Sequence, residues 1–250
     1  MYISVIIPAY NESKRITPTL KDVGRYLSKQ DYDYEIIVVS DGSKDDTADV
    51  VNSLIPEIRN LKIIDNKKNH GKGWVVRQGM MAARGNIRVF MDADNSTSID
   101  HLEKMIPIFK DNYDVVIGSR RIKGAKIDVH QPWYKEILGR MGNLWIRVFA
   151  VSGISDTQAG FKGFTAKATE EIFPRMTLEK WGFDFEVLAI ARKLKFKIKE
   201  MPIEWINDAM SHVKMSAYVK TLVEALEVRL NLFSGRYNKK HYLAENKKTA

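Results

Sequence analysis

The chain contains no cysteine among its 250 residues. Disulfides and thiolate metal sites are thereby excluded, and the composition fits a reducing compartment. No apolar run approaches the ~18 residues that a spanning helix needs, so no membrane crossing is expected. Glycine-rich nucleotide signatures are also missing. Gly71-Lys72-Gly73 lacks the third glycine of a dinucleotide fingerprint and is not a Walker A loop. A dehydrogenase or P-loop ATPase is therefore not expected. The five histidines show no ligand spacing. Lys and Arg are spread rather than blocked, and no nucleic-acid-binding motif is visible, so no nucleic-acid partner is expected. The N-terminal stretch enters an apolar segment at once, with no basic lead-in or cleavage site, so no signal peptide is expected.

What is present is a 44% hydrophobic chain, enough to bury the core of one large domain or two small ones. Its formal charge of +9 favours anionic partners such as nucleotides, lipid phosphates or an anionic membrane surface. Apolar runs at Ile3–Ile7, Glu35–Val39, Leu61–Ile64, Ile87–Met91 and Val115–Ile117 predict strands. Helical patterns at Thr17–Ser28, Asp46–Leu54, Gly73–Ala83 and Asp100–Phe109 alternate with them. That βαβ repetition predicts an α/β fold with a mainly parallel central sheet flanked by helices.

A polar, ligand-capable cluster follows every predicted strand. The clusters are Pro8-Ala9-Tyr10-Asn11-Glu12, Ser40-Asp41-Gly42-Ser43, Asn69-His70-Gly71-Lys72, Asp92-Ala93-Asp94 and Gly118-Ser119-Arg120-Arg121. Turn chemistry explains some of these residues. Five clusters mixing acids with Lys and Arg are better explained by one crevice at the carboxyl ends of the strands. In extended chain Asp92 and Asp94 project to one side, and two hard oxygen ligands suit Mg²⁺ or Mn²⁺ completed by a diphosphate. The alternative is an ordinary acidic turn. Lys72, near a helix N-terminus, is placed to approach a phosphate with help from exposed backbone N–H groups, or else is a solvated loop lysine.

The segments Val5–Glu12, Val38–Ser43 and Asp92-Ala93-Asp94 together resemble the inverting family-two glycosyltransferases of GT-A fold. Gly118-Ser119-Arg120, Asp156–Lys162 and Trp181–Glu186 are similar to the polyprenyl-phosphate branch, closest to dolichyl-phosphate β-glucosyltransferases and next to the mannosyltransferases. The resemblance spans residues 1 to about 207. It implies one GT-A catalytic domain over 1–207, with a nucleotide-sugar half (1–98) and an acceptor half (99–207). Pro8, Tyr10, Glu12 and Asp41 would hold base and ribose, and Asp92 and Asp94 the metal on the diphosphate. Arg120, with Gln158 and Lys162, would face the sugar and the acceptor phosphate, beside Arg121. Two positions depart from the family pattern. Ser40 replaces a frequent second acid, which bears on the ribose contact, and Ser96 stands where some mannosyl relatives place a Gln on the metal.

The implied reaction moves a hexose from a nucleotide sugar to a polyprenyl or dolichyl phosphate, with UDP-glucose favoured and GDP-mannose the alternative donor. Such an acceptor implies peripheral contact with the cytoplasmic face of a membrane. The acceptor phosphate is already a dianion at neutral pH, so Asp156 or Asp184 need not be a strong base and can instead orient it. A soluble hydroxyl acceptor would need a base, with Asp184 or Glu186 the candidates. A nucleotide-sugar-binding protein without turnover would lack Asp92 or Asp94, and a basic membrane scaffold would leave the strand-end clusters unexplained. Further along, Trp133–Val151 is an amphipathic helix, read first as core-packed with membrane contact as the alternative. Gln158–Thr165 and Lys197–Ile206 predict strands, and Gly182–Leu194 a helix. An amphipathic C-terminal helix is expected within 208–235, strongest over Val219–Phe233, followed by a disordered basic tail over 236–250.

Overall fold

Residues Tyr2–Ala9 form β1, a strand buried on both faces, which is why its apolar residues run without alternation. A computed structural model describes residues 2–128, 133–206 and 215–242 of the chain. β1 is followed by α1 (Ile16–Leu27), β2 (Asp33–Asp41), α2 (Thr47–Leu54), β3 (Leu61–Asn66) and α3 (Lys72–Ala82). Next come β4 (Ile87–Phe90), α4 (Leu102–Lys110) and β5 (Val115–Ser119). Every strand and helix expected in this half is present, with ends shifted by at most two residues.

The second half contains β6 (Lys126–Ile127), α5 (Trp133–Phe149), β7 (Lys162–Thr165), α6 (Ala166–Ile172), α7 (Phe183–Lys193), β8 (Ile198–Pro202), β9 (Glu204–Trp205) and α8 (Met215–Phe233). Seven strands make one sheet in the order β3-β2-β1-β4-β7-β5-β8, and β6 pairs with β9 beside it. All neighbours in the large sheet are parallel except β7, which lies antiparallel to both β4 and β5. The architecture is the expected α/β fold with a mainly parallel central sheet flanked by helices.

Successive side chains of β1 serve opposite faces. Ile6 joins a core with Val75 and Val76 of α3, Phe90, Phe164 and Phe183, whereas Val5 and Ile7 join one with Leu20 and Val23 of α1 and Leu102 of α4. Each such side chain, fully buried, stabilises the fold by roughly 1.5–3 kcal/mol.

Four expectations need correction. The strand read over 158–165 begins only at Lys162; Phe161 O still accepts from Gly118 N of β5 at 2.8 Å, and Gly160 before it lies against the Asp92 carboxylate past the end of β4. The strand read over 197–206 divides at Ile203, just past Pro202, which has no N–H to extend the ladder. α5 is not packed into the core by its apolar stripe. Among its described side chains Asn143 and Ile146 are buried, as is Ala150 just past its end, while Ile137, Leu138, Met141, Leu144, Trp145 and Val148 stay exposed. Finally, 236–242 do not form a disordered tail. Tyr237 is completely buried, and His241 and Tyr242 donate backbone N–H bonds to Pro174 O at 2.6 and 2.9 Å. The stretches 207–214 of the expected C-terminal helix region and 243–250 of the tail lie outside the described residues. Among the described residues, no helix is long and apolar enough to cross a membrane.

Candidate active site

Because β1, β2, β4 and β5 run parallel, their carboxyl ends meet at one edge of the sheet, and a cleft of about 1420 Å³ opens there. Pro8 near the end of β1 and Tyr10 and Glu12 just after it line it, as do Asp41 at the end of β2 and Lys72 at the start of α3. Asp92 and Asp94 after β4, Arg120 and Arg121 after β5, Gln158 and Asp184 complete this set. Of the expected site residues Lys162 does not line the cleft, and of the candidate acids Asp156 and Glu186 do not either.

At the end nearest β1 and β2, much of the polar capacity is already committed. Asp41 accepts from the backbone N–H of His70 at 2.7 Å and of Gly71 at 2.9 Å. Burial pushes its carboxyl up, and those two bonds pull it back. The loop it holds turns at Gly71, whose φ of 109° and close approach to Glu179 O leave no room for a Cβ. Glu12 accepts two bonds from the guanidinium of Arg15, both 2.8 Å. The helix-terminus N–H groups expected to help at α3 are partly committed. Its Gly73 and Trp74 N–H groups donate to Lys180 O and to Glu179 O and Gly71 O.

The Lys72 ammonium donates to Asp92 Oδ1 at 2.5 Å and lies over the Trp181 ring. Burial opposes its charge, but Asp92 and Asp184 hold its pKa above the lysine range. Asp94 sits in a turn, not in the extended chain the spacing suggested, and accepts from Ser96 N at 3.0 Å. Its carboxyl is pushed up by burial and by the Asp92 carboxylate, a strain that a bound cation would relieve.

Farther along the cleft, Arg120 forks onto Asp156 with bonds of 2.7 and 2.8 Å, and its guanidinium lies over Trp205 at 5.3 Å. Burial disfavours the Asp156 carboxylate, yet Arg120 brings its pKa down to about 2. Asp156 is therefore neither a base nor free to orient an acceptor; it positions Arg120. Arg121 donates to Gly139 O, and Arg140 of α5 lines the same stretch.

Lys162 was expected to face the acceptor phosphate. It is instead wholly buried, donating to Ala159 O at 2.5 Å and to Asp184 Oδ1 at 2.5 Å. Its place is behind Asp184, because β7 turns that face of the strand toward α7. Two positions further on, Glu186 does not reach the cleft. Thr177 N, Thr177 Oγ1, Leu178 N and the Tyr237 hydroxyl donate to it, and burial raises its pKa to about 7. The sequence reading missed this link, and also missed Arg140, Trp181 and Trp205 as cleft residues. Arg140 was visible only as a charge off the apolar stripe of its helix.

Paired acids past a central parallel strand, facing one cleft, are the arrangement expected of a glycosyltransferase of GT-A fold. Residues 4–173 match Glycosyl transferase family 2, and the chain belongs to that family. More particularly, it is 37% identical to a dolichyl-phosphate beta-glucosyltransferase of Trichomonas vaginalis, over 96% of this chain and 77% of that protein. The dolichyl-phosphate beta-glucosyltransferase of Dictyostelium discoideum is 34% identical (94% and 76% covered), and that of Homo sapiens 29% (94% and 77%). Among solved structures, mannosyl-3-phosphoglycerate synthase from Rubrobacter xylanophilus superposes with a TM-score of 0.68 at 14% identity, covering 98% of this chain and 78% of that one. Glucosyl-3-phosphoglycerate synthase from Mycobacterium tuberculosis, in complex with Mn²⁺, UDP and phosphoglyceric acid, gives 0.62 at 15% identity, with 94% and 78% covered. These two share the fold.

Proposed function

We propose that the chain transfers a hexose from a nucleoside diphosphate sugar, UDP-glucose in preference to GDP-mannose, to a polyprenyl or dolichyl phosphate with inversion. The observation that carries this reading is the continuity of one cleft. It runs from Asp92 and Asp94, past Arg120, Arg121 and Arg140, to Leu138 and Met141 of α5 and Val219 of α8, apolar side chains left exposed. A diphosphate, an acceptor phosphate and an isoprenoid chain ask for those three surfaces in that order. The similarity to dolichyl-phosphate β-glucosyltransferases supports the same acceptor and sugar.

The residues fit a divalent cation shared with substrate. Among the described residues no three His, Cys, Asp or Glu groups converge to form a full protein shell. Two carboxylates alone suit Mg²⁺ or Mn²⁺ that draws its other ligands from a diphosphate. When bound, the cation would offset charge growing on the departing nucleoside diphosphate. Pro8, Tyr10 and Asp41 would wall the base and ribose. Arg120, fixed by Asp156, and Arg121 would hold the acceptor phosphate in line with the sugar C1. The bond from C1 to the diphosphate breaks as one from C1 to the acceptor phosphate oxygen forms on the opposite face. The acceptor phosphate carries its second negative charge above pH ~6, so it attacks without a strong base. Asp184, backed by Lys162, would orient the sugar or acceptor.

The exposed faces of α5 and α8 would rest on the cytoplasmic membrane surface that carries the acceptor. Each nearby Lys or Arg would add about 1 kcal/mol toward an anionic leaflet. The test supplies labelled UDP-glucose and GDP-mannose to the protein with anionic liposomes containing dolichyl phosphate. Glucose entering an organic-extractable, mild-acid-labile product is expected. Mannose label, or transfer only to a soluble hydroxyl, would overturn the reading. Asp92→Asn and Asp94→Asn should each remove turnover, a loss of ~3 kcal/mol or more in transition-state stabilisation, with little change in melting temperature.

A further inference from the structure

We propose that Lys72 is a resident counter-cation of the metal site, occupying Asp92 until a metal and a nucleoside diphosphate arrive together. The idea rests on the donor site proposed above and adds an order of binding to it. Asp92 has two oxygens with different surroundings. Gly160 crowds the carboxylate on its Oδ2 side: a Cβ there would overlap Oδ2 and lie 3.0 Å from Oδ1. On the other oxygen, Oδ1, Lys72 holds its ammonium at 2.5 Å. A cation approaching Asp92 therefore competes with the ammonium for one atom.

The root of Lys72 cannot retreat to relieve that competition. Gly71, just before it, is pinned against Glu179 O and donates to Asp41, and the N–H groups of Gly73 and Trp74 bond the 179–180 backbone. Only the side chain moves, and its ammonium has the Trp181 ring beside it, at 5.5 Å, as a surface to slide over. Lys72 thus gives way by swinging, and the anion within reach of that swing is a diphosphate bound at the same metal.

Charge favours joint arrival. Four carboxylates, on Asp92, Asp94, Asp156 and Asp184, face four cations, on Lys72, Arg120, Arg121 and Lys162. The cluster is balanced. A divalent cation alone leaves it with excess positive charge, with Lys72 beside it. The negative charges of a diphosphate remove that excess. Metal without nucleotide is disfavoured, and nucleotide makes it favourable; such coupling is reciprocal.

The experiment titrates Mn²⁺ into the full chain, following free Mn²⁺ by electron paramagnetic resonance, with no nucleotide, with UDP and with GDP. Wild type should bind Mn²⁺ weakly alone and about tenfold or more tightly with the nucleotide diphosphate. Lys72→Met keeps the apolar stem and removes the charge. It should bind Mn²⁺ alone about tenfold more tightly than wild type, and nucleotide should add little. Asp92→Asn, in either background, should lose the site, which locates the signal. If Lys72→Met binds Mn²⁺ alone no better than wild type, or keeps the full nucleotide effect, or if neither protein binds Mn²⁺ under any condition, the proposal fails. A coupling seen with GDP and not with UDP would keep the role of Lys72 and defeat the choice of UDP-glucose instead.

Discussion

Replacing Lys162 by Met removes a buried charge and leaves its partner behind. The Lys162 side chain is wholly buried, with its ammonium bonded to Asp184 at 2.5 Å and lying over the Phe90 ring at 5.4 Å. Met fills nearly the same volume, so packing changes little and the cost falls on the orphaned Asp184 carboxylate. Breaking one side of a buried pair costs about 3–5 kcal/mol. For a chain of this size that is a melting temperature lower by roughly 6–20 °C. The loss should depend on pH. Burial already raises the Asp184 pKa, with Lys162 pulling it down, so the variant raises it further. A carboxyl whose folded pKa lies above its unfolded value stabilises fully below the unfolded value and loses that stability as pH rises through the folded one. The deficit of Lys162→Met relative to wild type should therefore be larger at pH 8 than at pH 5. The double variant Lys162→Met/Asp184→Asn should recover most of it. Urea and thermal unfolding at both pH values measure this directly. A deficit under about 1 kcal/mol at pH 8, or one equal at both pH values and untouched by the second substitution, would refute the assignment of Lys162 as the buried buttress of Asp184.

Two other outcomes are expected. Gly160→Ala should push the Asp92 carboxylate aside, because the new methyl group would overlap Oδ2; misplacement by about 1 Å costs on the order of 100-fold in turnover, measured against an unchanged far-ultraviolet spectrum. Glu186, with a folded pKa of about 7 against an ordinary 4.5, takes up a proton on folding across that interval, so stability falls as pH rises between those values by at most roughly 3 kcal/mol. Glu186→Gln should flatten the melting-temperature profile over that range; a slope equal to that of wild type would disprove the assignment.

The donor side of the site was legible because a buried parallel strand writes itself as an apolar run, and the polar residues that end it are the ones at the crevice. Asp92, Asp94 and Asp41 were found that way. The acceptor side was less legible. Helical periodicity placed Leu138, Met141 and Val148 on α5, but it does not say what that helix faces, and the buried residues within it proved to be Asn143 and Ile146. Lys162 misled for another reason. The resemblance implied that it faces the acceptor phosphate, whereas the chain after 158–161 carries it inward onto Asp184. The contact between Glu186 and Tyr237, separated by 51 positions, leaves no periodic trace at all. It shows why the segment after α8 folds back: the Tyr237 hydroxyl helps satisfy a carboxylate that would otherwise be buried with one fewer donor.

The placement of β7 has a consequence for how the chain is made. β4 and β5 follow one another in sequence, yet both bond to a strand that emerges some forty residues after β5. Until Lys162–Thr165 leaves the ribosome, each of them offers an open edge, the feature most prone to pairing with the wrong chain. The same late strand delivers Gly160 to Asp92 and Lys162 to Asp184. A nascent chain stopped before it has both acids of the donor site and no means of setting them. Synthesis past residue 165 is thus the step at which β4 and β5 are joined into one sheet, and a product stalled or truncated before it should be an aggregate rather than a weak enzyme.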